Sequence, residues 1–110
     1  MPRDDAARVR DIAEACARIV KCTTGRTEAS FAADDVLVRA VLHDFAVIGE
    51  AAKGISVTLR AAHAEVPWSE MAGMRDVVVH QYFGIDASIV WRAATISVPR
   101  VMVQLGSLLD

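Results

Sequence analysis

The fold is decided by residues 35–62, which read DVLVRAVLHDFAVIGEAAKGISVTLRAA. Apolar side chains recur there at spacings of three and four residues, so the pattern predicts one helix over Asp35–Ala62. Asp34 precedes this helix and is a typical N-cap residue. The apolar stripe is wide, because Val38, Leu42 and Val47 fall outside its centre. A helix that is apolar over more than one face must be covered on more than one side.

Further helices are predicted on both sides of this one, and they span Asp5–Cys22, Met74–Phe83 and Ala87–Leu109. Gly25 and Gly84 are natural helix ends, and Asp86 is a natural cap. Residues 26–33 are expected to form a connector with at most one short turn, and a separate short turn is expected over Trp68–Met71. Pro99 lies inside the last helix and lacks the amide that would bond to Thr95, so a kink is expected there.

These elements predict an all-α fold, a four-helix up-down bundle with an additional short helix, in a single domain over residues 1–110. The chain has 110 residues, of which 54% are apolar, and a mean hydropathy of +0.32. That composition excludes a disordered chain, and no apolar stretch is long enough to cross a membrane. So small a domain cannot bury this much apolar surface. Either exposed alanine accounts for the surplus, or a partner chain covers one helical face.

Gly49 bears on the same question, because a glycine inside a helix costs about 1 kcal/mol relative to alanine. We attribute it to the close approach of another helix. Together with the wide stripe, it favours a homodimer that buries the apolar surplus.

The charge balance argues against a dedicated nucleic-acid-binding domain. Lys and Arg number 12, Asp and Glu number 14, and the net charge is −2. A contact with nucleic acid should therefore be local, as in an enzyme cleft. The two cysteines, Cys16 and Cys22, lack the spacing of a metal site, and Cys16 is expected to be a buried thiol. No metal or cofactor is expected. The N-terminus lacks a secretory signal, so a cytoplasmic location is expected.

The residues best suited to chemistry lie in the stretch 74–83, which reads MRDVVVHQYF. On a helix, Arg75 and Tyr82 lie about 20° apart, and His80 lies about 140° from Arg75. Asp76 and His80 are four residues apart, so the carboxylate can hydrogen-bond the imidazole. RNA carries its own nucleophile, the 2′-hydroxyl. Its cleavage therefore needs a proton-transfer group such as His and a fixed cation such as Arg, and no metal.

A structural interpretation stands beside this one, because an Arg followed five residues later by a His is a weak motif that often arises by chance. A His on a half-buried helix is more often structural than catalytic. The other polar candidates are interpreted as structural as well. Glu50 and Lys53 are expected to form a surface ion pair, and the pair His43-Asp44 is expected to form a solvated edge.

Four segments together resemble the HepT-like branch of the HEPN superfamily, and the resemblance runs from about Ile12 to Leu109. In order, the segments are Ile48–Lys53, then Pro67-Trp68 with Ala72–Asp76, then Val79–Asp86, and finally Val90-Trp91 with Pro99. Their joint order and spacing are far more specific than the Arg–His spacing alone.

The resemblance implies a homodimeric, metal-independent ribonuclease that serves as the toxin of a type VII toxin–antitoxin pair. The family motif R-x4-H-x-Y matches Arg75, His80 and Tyr82. Arg75 would contact the scissile phosphate, His80 would act as general acid and base, and Asp76 would support them. The antitoxin of such pairs is a minimal nucleotidyltransferase that adds AMP to the motif tyrosine, here Tyr82. Gly54 departs from the family pattern, which often has a basic residue at that position.

One alternative stays open. The chain could be a non-catalytic helical partner and modification substrate of a nucleotidyltransferase, within a signalling or nucleotide-sensing module. In either case a cytoplasmic protein is expected, and these motifs do not indicate which RNA would be cleaved.

Overall fold

The structure, a computed structural model, describes residues 3–82, Gly84 and 86–109, and it describes the backbone but not the side chains of residues 80–82. This part of the chain is helical and contains no strand, which confirms the all-α class. The elements are α1 (Arg3–Thr23), α2 (Glu28–Ala32), α3 (Asp35–Gly54), α4 (Val57–Ala62), α5 (Trp68–Tyr82), α6 (Ala87–Arg92), a π-helical turn (Ala93–Ser97) and α7 (Val98–Leu109). In the described ranges, no helix is long and apolar enough to span a membrane.

Helix α3 is the central element, because α1 and α5 pack against it on different sides. Its stripe is covered accordingly: Val38 is buried, and Leu42 and Val47 are half-buried against the core. Phe45 and Ile48 are completely buried at its centre. The wide stripe is thus explained within one chain, and it does not by itself indicate a second copy.

The predicted single helix over Asp35–Ala62 is wrong, because α3 ends at Gly54 and a new helix, α4, begins after Ser56. Ile55 is extended, with φ −65° and ψ 137°. The Ser56 hydroxyl accepts a hydrogen bond from the Leu59 amide and donates one of 2.6 Å to Asp5. Asp5 also accepts the Ser56 amide at 3.0 Å. These contacts satisfy the polar groups that the break exposes. The apolar spacing of three and four residues continues across the break, so the sequence pattern gave no indication of it.

Helix α5 is longer than predicted, because the expected short turn at Trp68–Met71 belongs to the same continuous helix. The Pro67 carbonyl accepts the Met71 amide at 3.0 Å, so the helix begins directly after the proline. The indole N–H of Trp68 donates to the His63 carbonyl at 3.0 Å. Gly73 lies inside the helix instead of preceding it. The buried Trp68 and Met71 anchor this first turn in the core, and that packing outweighs the low helix propensity of glycine.

The last predicted helix is continuous but not α-helical throughout. Asp86 caps α6 as predicted, since its carboxylate accepts the Ser88 amide at 2.9 Å. The residues before Pro99 form the π-helical turn, in which the Thr95 hydroxyl donates to the Trp91 carbonyl at 2.8 Å; the kink expected at Pro99 itself stays a prediction. A π-helical turn is a local departure from the regular α-helical ladder, and Pro99, which has no amide hydrogen, lies two residues after its end.

Several smaller expectations concern helix ends and core residues. Gly25 and Gly84 both have positive φ, 76° and 84°, which glycine adopts without strain. Asp34 caps α3 by accepting the Leu37 amide, as predicted. The expected solvated edge at His43-Asp44 is wrong for Asp44, which is only 3% exposed and accepts a 2.8 Å hydrogen bond from Arg18 Nε. Asp44 faces α1, and the polar and apolar residues around it in the sequence gave no indication of that packing.

Candidate active site

Arg75 lies where helix α5 closely approaches helix α3 at Gly49. A Cβ atom placed on Gly49 would lie 3.0 Å from Arg75 Cβ, 3.2 Å from the Arg75 amide nitrogen and 3.3 Å from the Ala72 carbonyl oxygen. The close approach predicted for Gly49 is therefore confirmed, and the helix it admits is α5 of the same chain. Gly49 consequently holds the backbone at Arg75 in place and carries no information about a second copy.

The guanidinium of Arg75 forms an ion pair with Glu50, in which Arg75 Nη1 contacts Glu50 Oε1. Both side chains are accessible, with exposed fractions of 51% for Arg75 and 60% for Glu50. The predicted pairing of Glu50 with Lys53 is wrong, because the Glu50 carboxylate binds across to α5 instead. Glu50 directly follows Gly49, where α5 closely approaches α3, so it lies next to Arg75. Sequence spacing within α3 gives no indication of this neighbour on another helix.

The remaining residues of the sequence motif follow Arg75 along α5. Asp76 is exposed on this helix, and the backbone of α5 continues through His80 to its end at Tyr82. The side chains of His80 and Tyr82, and with them the expected contact between Asp76 and His80, lie outside the described residues. The motif therefore lies on one uninterrupted helix, as its spacing predicted.

Two shallow grooves flank the exposed edge of α3 next to this site. One has a volume of about 430 Å³ and includes Arg8, Asp11 and Glu50 in its lining. The other has a volume of about 360 Å³ and lies between α3 and Val78 of α5. Ala46 lines both grooves, so this edge of α3 forms a ridge between them. The ion pair of Glu50 with Arg75 thus borders a surface with both charged and half-buried apolar groups.

Both cysteines lie in helix α1, and the buried one, Cys16, is expected to be unreactive. Cys16 is completely buried, and desolvation raises the pKa of its thiol to about 12, with a smaller contribution from the nearby Asp44 carboxylate. This confirms the buried thiol expected from the sequence, and a thiol with so high a pKa is a poor nucleophile.

The sequence profile of the family described as Ribonuclease HepT-like matches residues 12–107. The chain belongs to the HepT-like ribonuclease family. Its relatives include a predicted RNase of Caldanaerobacter subterraneus subsp. tengcongensis, 35% identical over 90% of this chain and 88% of the relative. Another is a protein of Thermococcus cleftensis predicted to be the ribonuclease HepT, 36% identical over 90% of each chain.

A further relative joins the HepT-like region to other sequence. It comes from Methanocaldococcus jannaschii and is described as a gamma-glutamylcyclotransferase and predicted RNase. It is 28% identical over the whole of this chain, which covers 50% of that relative. No solved structure matched the chain.

One departure from the HepT-like pattern is the glycine at position 54, where the family often has a basic residue. In the structure, the space beside Gly54 is filled by Arg8 of helix α1. A Cβ atom at position 54 would lie 2.9 Å from Arg8 Cδ and from Arg8 Cζ. A guanidinium from α1 therefore occupies the place from which a side chain at position 54 would extend.

Proposed function

We propose that this chain is a metal-independent endoribonuclease and the toxin of a toxin–antitoxin pair. The proposal rests on membership of the HepT-like ribonuclease family together with one observation. The guanidinium of Arg75 is half-exposed while its backbone is held tightly against Gly49. A cation with an anchored base and an accessible head is suited to holding a phosphate in one position.

The chemistry follows from the RNA itself, because its 2′-hydroxyl can attack the adjacent phosphorus. In the proposed reaction His80 accepts the proton of that hydroxyl, and a proton returns to the departing 5′-oxygen. An imidazole has an ordinary pKa near 6.5, so it can serve as both base and acid close to neutral pH. Arg75 neutralises the additional negative charge on the phosphate oxygens in the transition state. Asp76 would orient the imidazole through a hydrogen bond.

A homodimer is part of this proposal. Around the helix, His80 lies about 140° from Arg75, so two copies of α5 facing one cleft would bring both residue types to one phosphate. The ridge of α3 supports such an arrangement, since Leu42, Val47 and Val78 beside it are only half-buried. A second copy that lies across the ridge would cover these side chains and both neighbouring grooves.

We further propose that Tyr82 is the site of adenylylation by a minimal nucleotidyltransferase that acts as the antitoxin. Tyr82 lies seven residues after Arg75, which places the two about 20° apart around the helix. The phosphate of an added AMP would reach the guanidinium of Arg75 and compete with RNA for it. Addition of AMP would thereby switch off the nuclease without dismantling the fold.

The test of the nuclease is cleavage of RNA in the presence of EDTA by the wild type, Arg75→Ala and His80→Ala. We expect the wild type to cleave and both variants to lose activity by about a hundredfold or more. Arg26→Ala serves as a control, since Arg26 is also an exposed arginine but lies in the loop between α1 and α2 and lines neither groove. Equal activity in the wild type and in both site variants would refute the assignment.

The test of the switch is mass spectrometry of the chain after co-expression with a cognate nucleotidyltransferase. We expect added AMP, and we expect Tyr82→Phe to abolish it; AMP mapped to another residue would refute the assignment. The alternative, a non-catalytic partner of the nucleotidyltransferase, predicts a different outcome. In that case Tyr82 would still be modified, but the chain expressed alone would neither cleave RNA nor arrest growth.

A further inference from the structure

We propose that Glu50 is a positioning residue for Arg75, and that its carboxylate holds the guanidinium in the orientation that receives the scissile phosphate. This inference rests on the proposed ribonuclease function. It adds a residue that lies outside the motif on α5, on the neighbouring helix α3. The observation that carries it is the ion pair between Arg75 Nη1 and Glu50 Oε1.

The first step concerns the backbones on which the two side chains stand. Gly49 directly precedes Glu50, and it packs against the Cβ atom and the amide nitrogen of Arg75. The two backbones are therefore fixed relative to each other within a few ångströms of the ion pair. The ion pair thus joins the two helices beside their close approach at Gly49, and this favours one orientation of the guanidinium over many.

The second step concerns the donors of the guanidinium. An arginine has five N–H groups in a planar fork, and only the Nη1 side is used by Glu50. The Nε and Nη2 edge can still donate two parallel hydrogen bonds to phosphate oxygens. Within the described residues, no hydrogen bond from that edge to protein is present. Glu50 therefore constrains the rotation of the fork while it leaves a phosphate-binding edge available.

The third step separates this role from simple electrostatic attraction. The Glu50 carboxylate is negatively charged and repels an approaching phosphate, so removing it should leave RNA binding unchanged or tighten it. Orientation, by contrast, matters most in the transition state, where misplacement of a catalytic group can cost up to about a hundredfold in rate. A positioning role thus predicts opposite effects on kcat and on binding.

The fourth step separates positioning from structural support. Glu50 and Arg75 are both at least half-exposed, and exposed ion pairs typically contribute only about 0–1 kcal/mol to stability. Loss of Glu50 should therefore leave the fold intact. The pair of Asp35 with Arg39, joined at 2.9 Å on the surface of α3, offers a matched control for losing one exposed carboxylate.

The experiment measures kcat and KM for RNA cleavage by the wild type, Glu50→Ala, Glu50→Gln and Asp35→Ala. We expect kcat to fall by about tenfold to a hundredfold in Glu50→Ala, with KM unchanged or lower. Glu50→Gln keeps an oxygen acceptor for Nη1 and should recover part of that loss. Asp35→Ala should match the wild type. If the kcat of Glu50→Ala equals that of Asp35→Ala, or if the main effect is a rise in KM, the inference is wrong.

Two further measurements keep this outcome separate from the fate of the proposed function. Arg75→Ala with wild-type activity would refute the proposed site itself, whereas an inactive Arg75→Ala beside a fully active Glu50→Ala would refute the positioning role alone. The order parameter of the Arg75 Nε–Hε group, measured by NMR, needs no activity. We expect it to fall in Glu50→Ala, and an unchanged value would also overturn the inference.

Discussion

Gly49→Ala adds a single methyl group at the crossing of α3 and α5, directly behind the Arg75 side chain. The new Cβ would lie 3.0 Å from Arg75 Cβ, 3.2 Å from the Arg75 amide nitrogen and 3.3 Å from the Ala72 carbonyl oxygen. Favourable carbon contacts lie at about 3.5–4.0 Å, so the helices must separate by several tenths of an ångström. The obstructing atoms belong to the backbone or to the base of a side chain, and no rotamer change can remove them.

The expected magnitude combines two opposing effects. Overpacking of an interior site costs typically about 1–3 kcal/mol. Replacing a glycine by alanine inside a helix returns about 1 kcal/mol. The net effect is a loss of up to about 2 kcal/mol in the free energy of unfolding. Gly73→Ala is the matched control, because Gly73 lies within α5 and no atom beyond its own stretch of helix lies within 4 Å of the new methyl group. It should gain about 0.5–1 kcal/mol from helix propensity alone.

The assay is urea unfolding of both variants, followed by circular dichroism, together with RNA cleavage. The two substitutions are chemically identical, so helix propensity cancels and the difference reports packing. We expect Gly49→Ala to be less stable than Gly73→Ala by about 1–3 kcal/mol, and to be less active because Arg75 is displaced relative to Glu50. Equal stabilisation of both variants would refute the reasoning that Gly49 sets the distance between α3 and α5.

Three further outcomes follow from other contacts. Hydrogen bonds from the Ser56 hydroxyl and amide lower the pKa of Asp5. The ionised Asp5 therefore stabilises the fold above the ordinary carboxyl pKa, and this contribution is lost as pH falls through the lowered pKa of the folded state. The free energy of unfolding of Asp5→Asn should accordingly depend less steeply on pH in acid. Cys16, with a thiol pKa of about 12, should resist a thiol reagent at pH 8 until urea unfolds the chain. Arg8 lines the groove next to Glu50, so Arg8→Ala should weaken RNA binding. The slope of the logarithm of the binding constant against the logarithm of the salt concentration, measured by fluorescence anisotropy, should become less steep by about one phosphate contact.

The positions of the helices were largely predictable because the chain marks them with local signals. Asp34 and Asp86 cap helices as expected, and Gly25 and Gly84 adopt the positive φ angles that end them. Signals of this kind act within one turn of helix, so they can be recognised from neighbouring residues alone. Helical periodicity likewise predicted that the motif of α5 lies on a helix, whereas the π-helical turn over Ala93–Ser97 was not predicted.

Errors arose where distant residues decide the structure. The break after Gly54 depends on Asp5, which is 51 residues from Ser56 in the sequence and accepts hydrogen bonds from its amide and its hydroxyl. The burial of Asp44 depends in the same way on Arg18 from another helix. Periodicity carries no information about such partners, because it describes a single helix in isolation.

The same limitation applies to the candidate site. Spacing on α5 indicated Arg75, but within α3 it paired Glu50 with Lys53, a neighbour on the same helix. Only the packing of α5 against Gly49 brings Arg75 to Glu50. The signal that could have indicated the contact was the glycine itself, since a residue next to a close helix crossing faces the second helix as well as its own.

The central claim is that Arg75 and His80 cleave RNA through the RNA's own 2′-hydroxyl, without a metal. The most direct measurement uses an oligonucleotide that the wild type cleaves in EDTA, compared with the same oligonucleotide carrying a 2′-deoxynucleotide at the cleaved position. We predict that the deoxy substitution abolishes cleavage at that bond, and that the unmodified RNA yields a 2′,3′-cyclic phosphate end that Arg75→Ala fails to produce. Cleavage of the deoxy-substituted bond at the unmodified rate would contradict the account.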